Sequence, residues 1–482
     1  MLHAGRLHPR HVVARRAHTL IGSRAGELAL TAATIAVVSL VAASSIAGMG
    51  SRPSKPLLLV AVLAGSSILL TIAPAQLFLG WLFLAPLLQE SASKTHLGHV
   101  LSLALYTAPP LALLVKWLTS REPSPRREWF DLLPAAYILV VLVSLATMAT
   151  HELRPSTIHL LYQNVMLSVL VYYLVAFWRG PLPPMMRIVQ VLLLAAALQG
   201  LMAVVDGATG WNLWHDTSWQ GADARAIATL SNPDVTGTFI GIGITLAVAV
   251  LSWDGPAMLR RLSIVMLVVG FPGLYATKTR GPILATLVAV ALCLLLSGRS
   301  RLIGLGVIAL VALTLVVFWP QIHSSSTFRN RFSNRQNVEA RLVLQNVSIR
   351  LAEKRPIFGW GYDSFDRVKY KVQVASPGMP LTQALQSTSH NTYLTILVEF
   401  GIVGLVVFLL PWIPILARGV QRARAHPPDR WILVGAIASI LVIGIDAATL
   451  DFRFFSFAPM LAWLFLAILR RETGNRLDPH PA

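Results

Sequence analysis

An all-α, polytopic membrane protein is the fold class this sequence predicts, and three observations predict it. Hydrophobic residues make up 55% of the 482 positions, and the mean hydropathy is +0.64. Asp, Glu, Lys and Arg together make up 13%, about half the roughly 25% usual for soluble domains. So few charges cannot coat several water-facing surfaces. Apolar runs also recur along the chain at the length of about 20 residues that a helix needs to cross the hydrocarbon. The single cysteine, Cys293, lies inside such a run and excludes a disulfide framework or a thiolate metal cluster.

Residues 1–25 form a basic tail with Arg6, Arg10, Arg15, Arg16 and Arg24 and no acid. The apolar run from Leu28 to Met49 follows. It exceeds the roughly 7–15 residues of a signal-peptide core, so it reads as a retained first helix. Further spans are expected near 57–73, 75–90, 97–118, 130–150, 157–178, 186–206, 235–252, 261–276, 282–297, 302–319, 393–416, 431–449 and 454–470. Residues 57–90 read either as one kinked element or as a re-entrant pair around Pro74, which gives about 12 to 14 spans, with about 14 as the working number. The organisation is then transmembrane helices 1–11 within 26–319, a large loop over 320–392, the last three spans within 393–470, and a tail over 471–482.

Lys and Arg set the expected orientation, because cytoplasmic loops carry an excess of both. With the N-terminus inside, alternate loops hold Lys116, Arg121, Arg126 and Arg127; Arg179 and Arg187; Arg260 and Arg261; Arg299 and Arg301; Arg418, Arg422, Arg424 and Arg430; and Arg470 and Arg471. Arg52 and Lys55 are the exceptions. Both termini are therefore expected in the cytoplasm. Two external segments exceed simple turns: one near 207–232, with Trp211, Trp214, His215 and Trp219, and the loop 320–392.

Within that loop, Asn337 to Lys354 spaces apolar residues as an amphipathic helix, with Leu342, Leu344, Val347, Ile349 and Leu351 among them. Pro356 ends the helix, and Gly359-Trp360-Gly361 makes a turn. The loop is basic: Arg329, Arg331, Arg335, Arg341, Arg350, Lys354, Arg355, Arg367, Lys369 and Lys371 face Glu339, Glu353, Asp363 and Asp366. A cationic outer segment suits a diphosphate or an acidic headgroup, since the guanidinium fork binds phosphate oxygens in pairs. A solvated, headgroup-facing surface is the competing reading. The whole-chain charge of +19 points to cytoplasmic loops and phosphate contacts, and no nucleic-acid-binding module is present.

Three further places stand out. Arg280, in Lys278-Thr279-Arg280-Gly281-Pro282, sits where one apolar run ends outside and the next begins. An ionisable group at a helix mouth marks a substrate pathway or snorkels to the headgroups. His390-Asn391 opens a later span on the same side; a neutral imidazole there can take a proton from a hydroxyl, or can be structural. Arg225 precedes Ser231-Asn232-Pro233-Asp234, whose ordinary role is to start a helix. Glu399 and Asp446 lie inside apolar spans and require partners. No Asp-x-Asp, His-Glu-x-x-His, Walker loop or Gly-x-Ser-x-Gly occurs, so no metal and no cofactor is expected.

Taken in order, Ser231-Asn232-Pro233, Arg280-Gly281, Arg341 through Pro356, Gly359-Trp360-Gly361 with Phe365, His390-Asn391-Thr392-Tyr393-Leu394 and Glu399-Phe400-Gly401-Ile402-Val403-Gly404 resemble the superfamily of O-antigen ligases and polymerases. The resemblance implies a GT-C-like membrane fold in the bacterial inner membrane. It implies a glycosyltransferase that moves a glycan from a polyprenyl (undecaprenyl) diphosphate to the hydroxyl of a lipid or glycan acceptor, on the external face and without a metal. Lipopolysaccharide and related cell-envelope polysaccharide biosynthesis is the implied setting. On these positions, Arg280 and Arg341 are expected to hold the diphosphate and His390 to deprotonate or orient the acceptor. Arg225 and Asn391 are further substrate-binding candidates, and Arg350 or Arg355 replaces Arg341 in another helix register. Asp234 departs from the pattern, since many members carry Asn there. Direct attack on the anomeric carbon would invert it. A repeat-unit polymerase of the same superfamily and a transporter of lipid-linked glycan are the alternatives.

Overall fold

A computed structural model describes residues 74–88, 114, 117, 127–146, 155–178, 185–213, 224–230, 232–253, 255–296, 336–376, 378, 380–425, 427–455 and 457–474. The basic tail, the expected spans near 28–49, 57–73 and 302–319, and all of 97–118 except Leu114 and Trp117 lie outside the described residues. So do Trp214, His215, Trp219, Arg329, Arg331 and Arg335.

The described residues are helical and contain no strand. In chain order the α-helices of six or more residues are α1 Pro74–Leu88, α2 Leu133–Ala146, α3 Pro155–Leu160, α4 Leu167–Ala176, α5 Met185–Thr209, α6 Pro233–Ser252, α7 Ala257–Ala276, α8 Arg280–Leu296, α9 Gln336–Lys354, α10 Thr392–Leu409, α11 Trp412–Arg424, α12 Arg430–Asp446 and α13 Phe457–Gly474. A π-helical turn, Leu161–Met166, joins α3 to α4. By length and composition, α5, α6, α7 and the run Thr392–Arg424 are able to cross a membrane. The chain is a multi-pass membrane protein.

Helix α6 is the axis. Nearly every residue from Val235 to Val250 is buried, and α5, α7, α8 and α12 pack around it. Lipid tails are as apolar as leucine, so helices in a bilayer associate through close packing at small residues. That is the pattern here. A Cβ on Gly237 would lie 2.9 Å from the Cβ of Pro282, and one on Gly243 would lie 2.5 Å from the Cβ of Ala196. Between α5 and α7, a Cβ on Gly273 would lie 2.6 Å from the Gly200 carbonyl oxygen. At one end of the bundle, Arg470 of α13 donates from Nε and Nη2 to Asp131 at 2.8 Å each, and Tyr172 of α4 donates to the same carboxylate at 3.1 Å. That buried pair ties α2, α4 and α13 together.

Helix α9 buries Leu344, Val347, Ser348 and Leu351 at helical spacing. Leu342 and Ile349, which the sequence also assigns to the apolar face, point outward. The buried stripe meets Phe365, Val368, Leu385 and Val398, so the loop's small core is built partly on α10.

The span expected over 393–416 is not one straight helix. Gly401, at φ 65 and ψ −166, breaks α10, and Leu410-Pro411 turns the chain into α11, which carries Arg422 and Arg424 in its last turn. The groups freed at the break are satisfied by the segment after α9. Ile402 N–H donates to Pro356 C=O at 2.8 Å and Val403 N–H to Ile357 C=O at 3.3 Å, while Trp360 and Gly361 N–H donate to Val398 and Glu399 C=O at 2.9 and 2.8 Å. Irregular backbone persists inside a membrane protein only where such partners exist. Gly359 and Gly401 are required by this approach, since a Cβ on Gly359 would lie 2.5 Å from Glu399 backbone atoms and one on Gly401 would lie 2.2 Å from the Ile357 carbonyl oxygen.

Candidate functional site

Around the turn that ends α12, Asp446 to Leu450, three parts of the chain meet. Thr392 N–H, at the start of α10, donates to Ala447 C=O at 2.8 Å and Leu450 C=O at 3.2 Å. Gly281, at the start of α8, lies so close that an added Cβ would be 2.3 Å from Thr449 Oγ1 and 2.5 Å from Asp446 Oδ1. Thr238 of α6 donates to Asp446 Oδ2, and Thr449 Oγ1 donates to Oδ1 at 2.9 Å. Arg280 and His390 thus belong to one end of the bundle. The partners that buried Asp446 requires are hydroxyls, those of Thr238 and Thr449.

At this end a cleft of about 80 Å³ is lined by Arg225, Asp234, Lys278, Thr279, Arg280, Gly281, Val338 and Arg341. Each cation is placed by local chemistry. The irregular segment carrying Arg225 is pinned by Asp206 of α5, whose Oδ2 accepts from Ile227 N–H at 2.8 Å and Ala228 N–H at 3.2 Å. Arg225 itself donates from Nε to Thr277 C=O at 3.2 Å and pairs through Nη2 with Asp234 at 3.3 Å. Asn232 caps α6, its Oδ1 accepting from Asp234 N–H at 2.8 Å, with Pro233 in the first turn. Lys278, at φ 50, makes the tight turn between α7 and α8. Arg341 reaches the cleft from α9. Four cations against one carboxylate give a pocket suited to a multiply charged anion.

His390 lies at the edge of this field. Burial and then the positive charge of Arg341 lower its pKa from the usual 6.5, while Asp234, Asp451 and Asp366 pull it back. The ring is therefore neutral near pH 7. Its backbone is at φ 49, the left-handed region, where a residue with a Cβ is strained. Its Nδ1 is buried without a hydrogen-bond partner. A clamp holds the strained residue. Asp451 Oδ2 accepts from Ser389 Oγ at 3.3 Å and from Thr395 Oγ1 at 3.0 Å, and Ser389 Oγ in turn accepts from Asn391 N–H at 3.2 Å. Arg453 anchors the clamp: its Nη2 lies 2.8 Å from Asp451, its Nη1 2.6 Å from Glu399 and its Nη2 3.4 Å from Asp366. Glu399 thus has an arginine partner and a structural place.

The other sequence candidates fall elsewhere. Asn391 caps α10, accepting from Leu394 N–H at 3.0 Å. Arg350 is exposed and pairs with Glu353 at 3.0 Å, and Arg355 stacks over Trp360 at 4.2 Å. Neither lines the cleft, so α9 offers it Arg341. Sequence reading missed Lys278 and Thr279 as wall residues, and it missed Ser389, Asp451 and Arg453 altogether. One available signal was the pair Asp451-Phe-Arg453, two charges directly after an apolar span.

Residues 264–409 match the family model described as O-antigen ligase. This stretch is an O-antigen ligase domain. It runs from within α7 to the end of α10 and carries Arg280, Arg341 and His390; Arg225, Asp234 and Asp451 come from outside it. O-antigen ligase domains are glycosyltransferase-like enzyme modules, and lipid-linked glycans are the general substrate class. No curated protein matches the chain. Among the described residues, no group of three or more His, Cys, Asp or Glu has the geometry to hold a metal ion.

Proposed function

We propose that the protein transfers a glycan from a polyprenyl diphosphate to an acceptor hydroxyl at this cleft, on the external face of the bacterial inner membrane. The observation that carries the reading is the convergence of Arg225, Lys278, Arg280 and Arg341 on one small volume, with the imidazole of His390 at its edge kept neutral by burial and by the charge of Arg341.

The chemistry follows from the charges. The acceptor oxygen attacks the anomeric carbon as the bond from that carbon to the diphosphate breaks, and the bonding pair leaves on the diphosphate oxygen. Growing negative charge there is what fixed guanidinium groups stabilise. His390 takes the hydroxyl proton, for which a neutral ring is needed. Attack from the side opposite the leaving group inverts the anomeric centre. The four side-chain cations take the part a divalent ion plays elsewhere, so transfer is expected to continue in chelator. The Arg225–Asp234 pair opens when the diphosphate replaces the carboxylate as the partner of Arg225.

Purified protein in proteoliposomes, given labelled lipid-linked glycan and a lipid or glycan acceptor, tests this. Release of polyprenyl diphosphate with glycan transfer is the expected result, and the acceptor that works separates ligation from polymerisation. Arg280→Gln is expected to lower kcat by about 10²–10³-fold, the usual cost of one such donor. Movement of intact lipid-linked glycan across the bilayer, indifferent to Arg280→Gln, would mean a transporter.

Asp451 acts in this scheme through the His390 loop. Asp451→Asn is expected to lower kcat roughly tenfold, about 1.4 kcal/mol of barrier. The KM for the donor should hardly change, because Asp451 lies outside the cleft. A rise in KM with kcat intact would assign it to binding instead.

A further inference from the structure

Beyond glycan transfer, and independent of it, the segment between α9 and the break in α10 has the make-up of a lipid contact. Four backbone hydrogen bonds hold Pro356–Gly361 against Val398–Val403. Gly401 lies nine residues into α10, so the segment reaches about 13 Å along that helix from its start, at 1.5 Å per residue. Ile357 and Phe358 are nevertheless 54% and 71% exposed. Beside them the cations gather on one aromatic ring: Arg355 lies 4.2 Å and Lys371 4.9 Å from the Trp360 ring centre, and Lys354 donates to Lys371 C=O at 2.9 Å. All three cations are exposed, and none has a carboxylate partner among the described residues.

We propose that this corner is an interfacial anchor: Ile357 and Phe358 enter the hydrocarbon of the leaflet on the cleft side, and Lys354, Arg355 and Lys371 take the headgroup of an anionic phospholipid. The two halves support each other. Apolar side chains this exposed are costly in water and cost nothing in acyl chains. Cations on the same segment fix its depth at the headgroups, and Arg355 and Lys371 hold their charged ends over the Trp360 ring on the exposed side of the segment. Charge complementarity favours a phosphate-bearing lipid, and continuity with a membrane helix favours the bilayer over a soluble partner.

The test uses the full chain in nanodiscs of phosphatidylcholine with and without phosphatidylglycerol. Phe358→Cys, labelled with an environment-sensitive fluorophore, is compared with Gln383→Cys, an exposed site elsewhere on the loop; the natural Cys293 is buried. Label at 358 should emit to the blue and be quenched by spin-labelled acyl chains, and label at 383 should be quenched by iodide. Retention of phosphatidylglycerol over phosphatidylcholine, read by native mass spectrometry, should fall roughly fivefold for each cation removed in Arg355→Gln and Lys371→Gln. Iodide quenching at position 358, or lipid retention unchanged in the double variant, overturns the proposal. A label shielded from both quenchers indicates a protein contact and also overturns it.

Discussion

His390→Asn is expected to abolish most glycan transfer while leaving the fold intact. Asparagine tolerates the left-handed backbone that residue 390 adopts better than most residues, yet it cannot accept a proton. The loss should be about 10²–10⁴-fold in kcat. The pH profile carries the sharper test. The working form is the neutral ring, and its pKa lies below 6.5, so kcat/KM should hold as pH falls past 6.5 and decline only lower. Arg341 depresses that pKa and Asp234 raises it. Arg341→Gln should therefore move the acid limb to higher pH, and Asp234→Asn should move it to lower pH, each on top of any change in binding. A limb that stays put in both variants would falsify His390 as the base.

Gly359→Ala and Gly401→Ala are expected to be the most damaging small substitutions in the described residues. Both positions have positive φ, 67 and 65. Both would also drive a Cβ into backbone rather than into a movable side chain, at 2.5 and 2.2 Å. Overpacking typically costs about 1–3 kcal/mol, and a strained backbone adds about 1–3 kcal/mol. Thermal unfolding in detergent should show both variants well below the parent. Gly80→Ala, where an added Cβ meets nothing within 4 Å, should be neutral or slightly stabilising. Equal stability of all three would show that the break in α10 is not held by the loop.

The sequence made the architecture legible wherever one physical signal dominated. Apolar runs located α5, α6, α7, α8, α12 and α13 to within a few residues, because burial in lipid demands length before anything else. The spacing of Leu344, Val347 and Leu351 announced α9. Arg280 and His390 were visible because a charge or imidazole at a span's mouth is costly without a reason. What stayed hidden depends on pairing across distance. Arg453 meets Glu399 from 54 positions away, and no local pattern marks that contact. The break at Gly401 was invisible for the opposite reason: the apolar run continues through it without a proline, and its missing partners are supplied by residues 38 to 46 positions earlier. Arg350 and Arg355 looked equivalent to Arg341 because composition reports that a helix is basic, and only its docked face reports which cation turns inward.

The stitching of Pro356–Gly361 to α10 limits how this protein can be taken apart. The polar loop supplies backbone groups that complete a helix of the bundle, so it is not a portable module. A chimera that exchanges the loop between related enzymes must carry the Glu-Phe-Gly stretch of α10 with it, and a loop expressed alone would leave its own turn without most of its backbone bonds.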